Sequence, residues 1–204
     1  MENSFKDKKI VSFRFPEDSE IEYIGKDAFS SSTIQFIQIP KKLKRIESNY
    51  FSYCYGELET IGKSAFYGCF GFDGILKISE SIVEIEESMF SECSSLSNNL
   101  IIPDSVSVIH CSAFSGCFGF NGSLILSNSL SCIEGSAFSR CSGLTGTLSI
   151  PKTVKTLSSN VFSCCSNFDG LLKLHKSITV IESYAFDGCS QFKGELKLPE
   201  SITS

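Results

Sequence analysis

The sequence predicts a mainly β solenoid, in which short parallel strands from successive 24-residue coils stack on one another with little helix. Three observations predict it. Six phenylalanines recur every 24 positions, at Phe66, Phe90, Phe114, Phe138, Phe162 and Phe186. A cysteine follows each of them by three positions, and a pair of apolar residues follows ten and twelve positions later, as in Leu148 and Ile150. Such a fixed period indicates an architecture built from one repeated unit.

Each part of the repeated unit has an expected local structure. The L-x-[LI] segment alternates with period two, which predicts a short strand with both apolar residues on one face, and a proline often follows, as at Pro151. The A-F-x-x-C segment is too short and too rich in serine for more than one helical turn. A second apolar pair, such as Val154 and Leu157, predicts a second extended stretch on the opposite wall. The residue two positions before the first strand predicts a corner with positive φ; these residues are Gly74, Asn98, Gly122, Gly146, Gly170 and Gly194.

The recurring segments, such as CSGLTGTLSIPKTVKTLSSNVF at residues 141–162, resemble the BspA-like leucine-rich repeats, also called the Treponema pallidum type. The resemblance runs from about residue 10 to the last residue and rests on the joint recurrence of A-F-x-x-C, L-x-[IL]-P and [IV]-x-x-I. It implies a leucine-rich-repeat solenoid. It also implies surface-exposed proteins of bacteria and parasitic protists, associated with adhesion to host cells or extracellular matrix.

We expect residues 1–204 to form a single leucine-rich-repeat solenoid. Its coils are irregular over 10–61 and regular over 62–201, and its C-terminus is uncapped. Only 15 positions separate Phe51 from Phe66, so this coil lacks the corner, the strand and the proline of the regular unit. The shortened coil predicts a break or a sharp local rewinding of the sheet between Ile39 and Leu76.

Composition excludes several classes of function. The net charge is −5, and the sequence has no cluster of lysine and arginine, so neither nucleic acid nor an anionic membrane surface is an expected partner. No apolar stretch approaches the roughly 18 residues of a membrane span, and the charged start does not resemble a signal peptide. The two histidines, His110 and His175, occupy slots that we expect at the surface, without a nucleophile and a carboxylate fixed in register. We therefore expect no enzyme, no cofactor and no metal site.

Most of the ten cysteines occupy one slot of successive coils, which predicts a buried ladder of free thiols. Equivalent β carbons would be about 4.8 Å apart, beyond the roughly 3.5 to 4.5 Å that a disulfide needs. Three cysteines, Cys111, Cys132 and Cys164, fall outside the ladder, and we expect their thiols to be exposed. The ladder comprises Cys54, Cys69, Cys93, Cys117, Cys141, Cys165 and Cys189.

The outward slots of the first strand predict a protein-binding face. Exposed apolar residues bordered by charged ones on an otherwise polar protein are typical of such faces. The alternative is that these residues are simply good strand formers. The candidate face comprises Ile75, Lys77, Ile101, Ile125, Leu171, Lys173 and Lys197.

The function that these features favour is non-covalent protein recognition. By resemblance, the partner is a host surface or extracellular-matrix protein and the location is the cell surface or the extracellular space. The alternative is an intracellular scaffold in the cytoplasm, since ten unpaired cysteines suit a reducing compartment. The uncapped end also offers a surface for end-to-end self-association.

Overall fold

The computed structural model describes residues 82–203, together with residues 67–68, 76, 78 and 80 and the backbone of six earlier strands. The described residues contain short strands and turns and no helix, as predicted. The strands are β1 (Ser12–Arg14), β2 (Tyr23–Ile24), β3 (Phe36–Gln38), β4 (Arg45–Ile46), β5 (Thr60–Ile61), β6 (Gly74–Ile75), β7 (Glu84–Ile85), β8 (Leu96–Ser97), β9 (Leu100–Ile101), β10 (Val108–Ile109), β11 (Leu124–Ile125), β12 (Cys132–Ile133), β13 (Leu148–Ser149), β14 (Thr156–Leu157), β15 (Leu172–Lys173) and β16 (Val180–Ile181).

The strands form two rows, and every pairing is parallel. We call the row with the L-x-[LI] segments the front row: in it β1 pairs with β3, β6 with β8, β9 with β11 and β13 with β15. The back row is formed by the second apolar pairs: in it β2, β4 and β5 pair in order, as do β7, β10 and β12, and β14 pairs with β16. Both predicted walls are therefore present. Because residues 24 positions apart pair in most of these ladders, neighbouring coils are translated copies of one another.

The inward side chains stack into continuous columns. The rings of Phe90, Phe114, Phe138 and Phe162 have centroids 5.2, 5.4 and 5.4 Å apart, with interplanar angles of 10°, 3° and 6°. These separations lie in the range that favours offset stacking. The cysteine column beside them is equally buried at Cys117, where the thiol has no exposed surface. The core is thus a set of like-on-like columns that extends from coil to coil.

The turn wall behind these columns is held by backbone hydrogen bonds between coils. Phe90 N–H donates to Ala113 O at 2.8 Å, and Phe138 N–H donates to Val161 O at 2.9 Å. Residues two positions on either side have positive φ, such as Ser136 at 58° and Arg140 at 61°. The alternation of right- and left-handed residues turns every second N–H group toward the next coil, as at Ser136, Phe138 and Arg140, while the N–H groups between them donate within their own coil. The first positive-φ position of each turn recurs every 24 residues, at Ser88, Ser112, Ser136, Asn160 and Tyr184.

Three features of the front row differ from prediction. Strand β8 lies before the predicted strand of its coil, and its Leu96 pairs with Gly74, 22 positions away. The predicted strand at Leu196 and Leu198 is not formed, and both side chains are more than half exposed. Third, the described front row is a series of strand pairs and not one continuous sheet. Strand β15 pairs with β13, and no strand forms at 195–199 to pair with its other edge.

The corner prediction is correct at some coils and wrong at others. Asn98, Gly146 and Gly194 have positive φ, at 67°, 80° and 81°. Gly122 and Gly170 do not. At these two positions glycine is required by close approach of the neighbouring coil: a Cβ on Gly170 would lie 2.5 Å from Thr147 N.

The predicted break between Ile39 and Leu76 falls largely outside the described residues. Among the described strands, β4 and β5 pair directly although only 15 positions separate Arg45 from Thr60, so the back row continues across the shortened coil. The break in the front row stays a prediction, as does the division into irregular coils at 10–61 and regular coils at 62–201.

Candidate protein-binding face and the cysteine ladder

The front row brings two of the predicted binding residues together. Ile101 on β9 and Ile125 on β11 are partners in the parallel register. Their side chains are about half exposed, at 49% and 48%, whereas the preceding residues, Leu100 and Leu124, are buried. Period-two alternation explains this difference, since each strand turns one residue inward and the next outward. The result is an adjacent pair of exposed isoleucines on the outer side of the front row.

The other candidates lie elsewhere along the same row. Leu171 is 46% exposed and immediately precedes β15, and Lys173 is exposed within β15. Strand β13 carries Ser149 in the slot of the isoleucines, so a polar residue stands next to Lys173 in register. Lys197 is exposed beyond the last strand. The structure describes the backbone of Ile75 within β6 but not its side chain, and Lys77 lies outside the described residues.

The charges near this end of the row are partly compensated. Lys193 Nζ lies 3.8 Å from Asp169 Oδ2, and Lys197 Nζ lies 3.8 Å from Glu195 Oε2, with all four side chains exposed. The Gly146 N–H, which donates to Asp169 Oδ1 at 2.9 Å, lowers the pKa of Asp169, and the charge of Lys193 lowers it further. Exposed ion pairs of this kind contribute little to stability. Their consequence is local: the basic character of this end is weaker than the lysine count suggests.

The cysteine ladder is a column of thiols that donate hydrogen bonds between coils. Cys117 Sγ donates to Phe90 O at 2.9 Å, and Cys141 Sγ donates to Phe114 O at 3.0 Å. The carbonyl of Phe90 also accepts the N–H of Cys93 from its own turn, so each such oxygen uses two acceptor positions. The same contact recurs for Cys165 with Phe138 and for Cys189 with Phe162. Alanine and valine have no side-chain donor, so neither could make this hydrogen bond between coils in the same slot.

Burial raises the pKa values of the ladder thiols. It raises the pKa of Cys141 to about 12 and that of the half-buried Cys189 to about 11. Burial, together with neighbouring thiols, raises the pKa values of Cys117 and Cys165 well above the ordinary range. The thiolate is the nucleophilic form, so these thiols are inert near neutral pH.

The predicted distinction between ladder and exposed thiols is confirmed for the described residues. Cys93, Cys117, Cys141 and Cys165 are buried, Cys189 is half-buried, and Cys111, Cys132 and Cys164 are exposed. Cys111, Cys117, Cys132, Cys141, Cys164, Cys165 and Cys189 are free thiols. Cys54 and Cys69 lie outside the described residues.

Alkylation of the native protein should therefore be selective. With iodoacetamide at pH 8, we expect complete labelling at Cys111, Cys132 and Cys164 and no labelling at Cys117 or Cys141. Peptide mapping by mass spectrometry measures this, and a sample alkylated in denaturant provides the fully labelled control. Labelling of Cys141 at the rate of Cys164 would contradict the buried ladder.

His110 lies in an environment that the sequence analysis did not predict. Its Nε2 is 3.2 Å from Glu84 Oε2, and its Nδ1 is 3.3 Å from Glu134 Oε1. We expected no nucleophile and carboxylate fixed in register with it, and the carboxylate part of that expectation is wrong. His110 takes the slot of Glu86 and Glu134, so stacking places Glu134 beside it in the next coil, and the carboxylate of Glu84 reaches its other nitrogen from the preceding coil. The sequence does contain a signal for this contact, because His110 interrupts a column of glutamates in the same slot of successive coils.

Electrostatics at this histidine follow from its neighbours. Burial lowers the pKa of His110, but the hydrogen bonds to Glu84 and Glu134 and the charges of Glu134 and Glu86 outweigh it, so the pKa is raised overall. Burial likewise opposes ionisation of Glu134, yet hydrogen bonds from Cys111 and the contact with His110 lower its pKa.

His175 lies elsewhere and is half-buried, with Nε2 2.6 Å from Pro151 O and with Nδ1 accepting the N–H of Ser177.

A family comparison agrees with this architecture. The model of the BspA type leucine-rich repeat region matches the chain in six copies, over residues 1–117, 55–169 and 120–204. The chain belongs to this family of leucine-rich-repeat proteins. Repeats of this kind are typically non-catalytic scaffolds that mediate protein–protein interactions, and members of the family are often associated with the cell surface.

Two solved structures share the fold. A leucine-rich repeat protein from Bacteroides ovatus ATCC 8483 superposes with a TM-score of 0.71 at 24% identity, covering 94% of this chain and 46% of its own. The chain thus spans about half the length of that protein. The T. pallidum leucine-rich repeat protein superposes with a TM-score of 0.66 at 24% identity, covering 90% of this chain and 78% of its own. No curated protein sequence matches the chain. Among the described residues, no helix is long and apolar enough to cross a membrane.

Proposed function

We propose that this protein is a non-catalytic recognition module that binds a protein ligand through the outer side of its front row. The observation that carries the proposal is the register pair of Ile101 and Ile125, two half-exposed isoleucines side by side on a rigid parallel ladder. An exposed pair of this kind has an apolar surface that a partner could bury, at about 25 cal/mol for each Å² removed from water. The hydrogen-bonded strands hold it without further loss of backbone entropy.

The partner that suits this face is a protein with an apolar patch bordered by acidic side chains. Leu171 and Lys173 extend the face toward the last strand, and Lys197 continues it. The basic residues favour an acidic border on the partner only modestly, since Lys197 is already within 3.8 Å of Glu195. With the family's frequent surface association, this supports adhesion to a host-cell or extracellular-matrix protein.

Substitution at the isoleucine pair tests the proposal. We expect the double variant Ile101→Asp/Ile125→Asp to lower binding to cultured animal cells or decellularised matrix by about tenfold or more, since central apolar anchors dominate interface energy. Flow cytometry and plate binding with the fluorescently labelled chain measure the loss. The side chains point outward, so circular dichroism and the thermal midpoint should change little.

A matched control exists in the same row. Ser149→Asp adds one negative charge, as each single substitution of the pair does, at the equivalent slot of β13, which is exposed and polar. It should leave binding within about twofold of wild type if the isoleucines are the anchors. Undiminished binding of the double variant, or equal losses in both variants, would show that binding does not depend on the isoleucine pair.

The second candidate function is an intracellular scaffold that uses the same face. It is favoured by the exposed free thiols of Cys111, Cys132 and Cys164, which would oxidise readily outside a reducing compartment. Surface biotinylation of intact cells of the source organism, followed by fractionation, separates the two locations. An end-to-end contact between two chains is a further proposal, supported by the exposed side chains of Leu196 and Leu198.

A further inference from the structure

The outer side of the back row holds a group of metal-ligating side chains that the proposed recognition function does not use. One nitrogen of His110 and one carboxylate oxygen each of Glu84 and Glu86 all lie within 4.8 Å of one another. Glu84 is in β7, Glu86 directly follows that strand, and His110 directly follows β10, which pairs with β7. The strand ladder therefore fixes the three backbone positions relative to one another.

The spacing of the donor atoms fits a small divalent cation. With metal–nitrogen and metal–oxygen bonds of about 2.0 to 2.1 Å, two ligands of a tetrahedral zinc ion are about 3.3 Å apart. Glu84 Oε2 and His110 Nε2 are 3.2 Å apart. The Glu86 carboxylate oxygen lies within 4.8 Å of the other two donor atoms, so it needs an adjustment of at most about 1.5 Å to complete the same face. The Glu86 side chain is only half-buried and has three rotatable bonds through which such a shift can occur.

Glu134 is the fourth residue of the cluster and lies in the coil after that of His110. It holds the imidazole in the orientation that a metal site requires. Its Oε1 lies 3.3 Å from Nδ1, and its Oε2 accepts the N–H of Cys111 at 2.9 Å, which fixes the carboxylate in place. With Nδ1 donating its proton to Glu134, an arriving ion would take the place of the proton that Nε2 shares with Glu84. A carboxylate on the far nitrogen of a ligating histidine is the usual supporting arrangement in zinc proteins.

The donor set selects the class of ion. One imidazole nitrogen with two carboxylate oxygens suits Zn²⁺ and neighbouring transition ions, whereas Ca²⁺ and Mg²⁺ prefer oxygen ligands alone and more of them. We propose that Glu84, Glu86 and His110 bind a Zn²⁺-class divalent cation, with Glu134 as a positioning residue that orients His110. The site joins two consecutive coils, so the bound ion stabilises the solenoid by binding the folded state alone. Water completes the coordination on the exposed side.

Zinc titration of the thiol-depleted protein tests this site. The full chain carrying Cys111→Ser/Cys132→Ser/Cys164→Ser, stripped with a chelator and titrated with ZnCl₂ by calorimetry, should bind one ion and show a raised thermal midpoint. Competition with a chromophoric chelator gives the affinity. CaCl₂ and MgCl₂, titrated in parallel, should bind far more weakly. Loss of zinc binding in this background would assign the ion to the exposed thiols and overturn the proposal, as would equal affinity for calcium.

Two variants separate ligation from orientation. Glu134→Gln, which keeps an acceptor but loses the charge, should weaken zinc binding by roughly 10- to 100-fold, and His110→Gln should weaken it more. The matched control is Glu182→Gln, which changes the same slot of a later coil, where Ser159 Oγ is the neighbour. It should leave the zinc affinity unchanged. An equal zinc affinity in wild type and His110→Gln would overturn the proposed site. The thermal midpoint of each variant, measured after metal removal with a chelator, verifies that the variant is folded.

Discussion

Replacing Phe138 by alanine is expected to lower the free energy of unfolding by about 3 to 5 kcal/mol. The ring has no exposed surface and is stacked between Phe114 and Phe162, with centroids 5.4 Å away on each side. Alanine removes the ring and leaves a cavity that the translated copies above and below cannot fill without breaking their own ladder bonds. Because a domain of this size is stable by only about 5 to 15 kcal/mol, the loss is a large part of the total. Urea unfolding followed by circular dichroism measures it.

The column supplies its own control at the end that is less covered. Phe186 occupies the same slot, but its side chain is only partly buried and its stacked partner is Phe162, at 5.7 Å. Phe186→Ala should therefore cost about half as much as Phe138→Ala or less. If Phe138→Ala does not fold, Phe138→Leu, expected to cost about 1 kcal/mol or more, takes its place. Equal costs at positions 138 and 186 would contradict a column whose burial depends on neighbours on both sides.

The repeat period allowed the inward residues to be predicted from sequence. Phe114 and Cys117 are buried because they occupy the same phase of every coil, and phase is visible in one sequence without coordinates. The same reasoning placed Ile101 outward and Cys132 at the surface, which the structure confirms as exposure. Periodicity predicts which face a residue occupies because translation by one coil repeats the same environment.

What periodicity could not predict depends on departures from the repeat. The contacts of His110 arise because one coil has a histidine where its neighbours have glutamate, and the side-chain rotation that brings Glu84 to Nε2 has no signature in the pattern. The exposure of Leu196 also departs from phase. Its slot faces inward in the other coils, yet its side chain is 56% exposed. In a stacked array an inward side chain is buried mainly by contacts with neighbouring coils, so its position in the repeat does not by itself determine its exposure.

Raising the pH above about 9 is expected to destabilise the protein through its buried thiols. Burial raises the pKa of Cys141 to about 12, against about 8.5 for an unfolded cysteine. Below pH 8.5 both states keep the proton, and this thiol's contribution to stability is fully present. Between the two pKa values only the unfolded chain loses the proton, so the free energy of unfolding falls by about 1.4 kcal/mol per pH unit for each such thiol. Burial shifts the pKa values of Cys117 and Cys165 in the same direction, so these thiols make the fall in stability steeper.

Cys141→Ala isolates the contribution of one rung. It should destabilise the protein near pH 7, because the hydrogen bond to Phe114 O is lost, by about 1 kcal/mol. Its slope between pH 9 and 11 should then be shallower than that of wild type by about 1.4 kcal/mol per pH unit, so the two stability curves converge. Ile133→Val serves as the control, because it removes a buried methyl group at a similar cost of about 0.5 to 1.5 kcal/mol without removing a titrating group. Urea unfolding in reductant at each pH measures both slopes. Parallel curves for Cys141→Ala and wild type would mean that the ladder thiols ionise as easily in the folded protein as in the unfolded chain, and burial could not then be the source of their inertness.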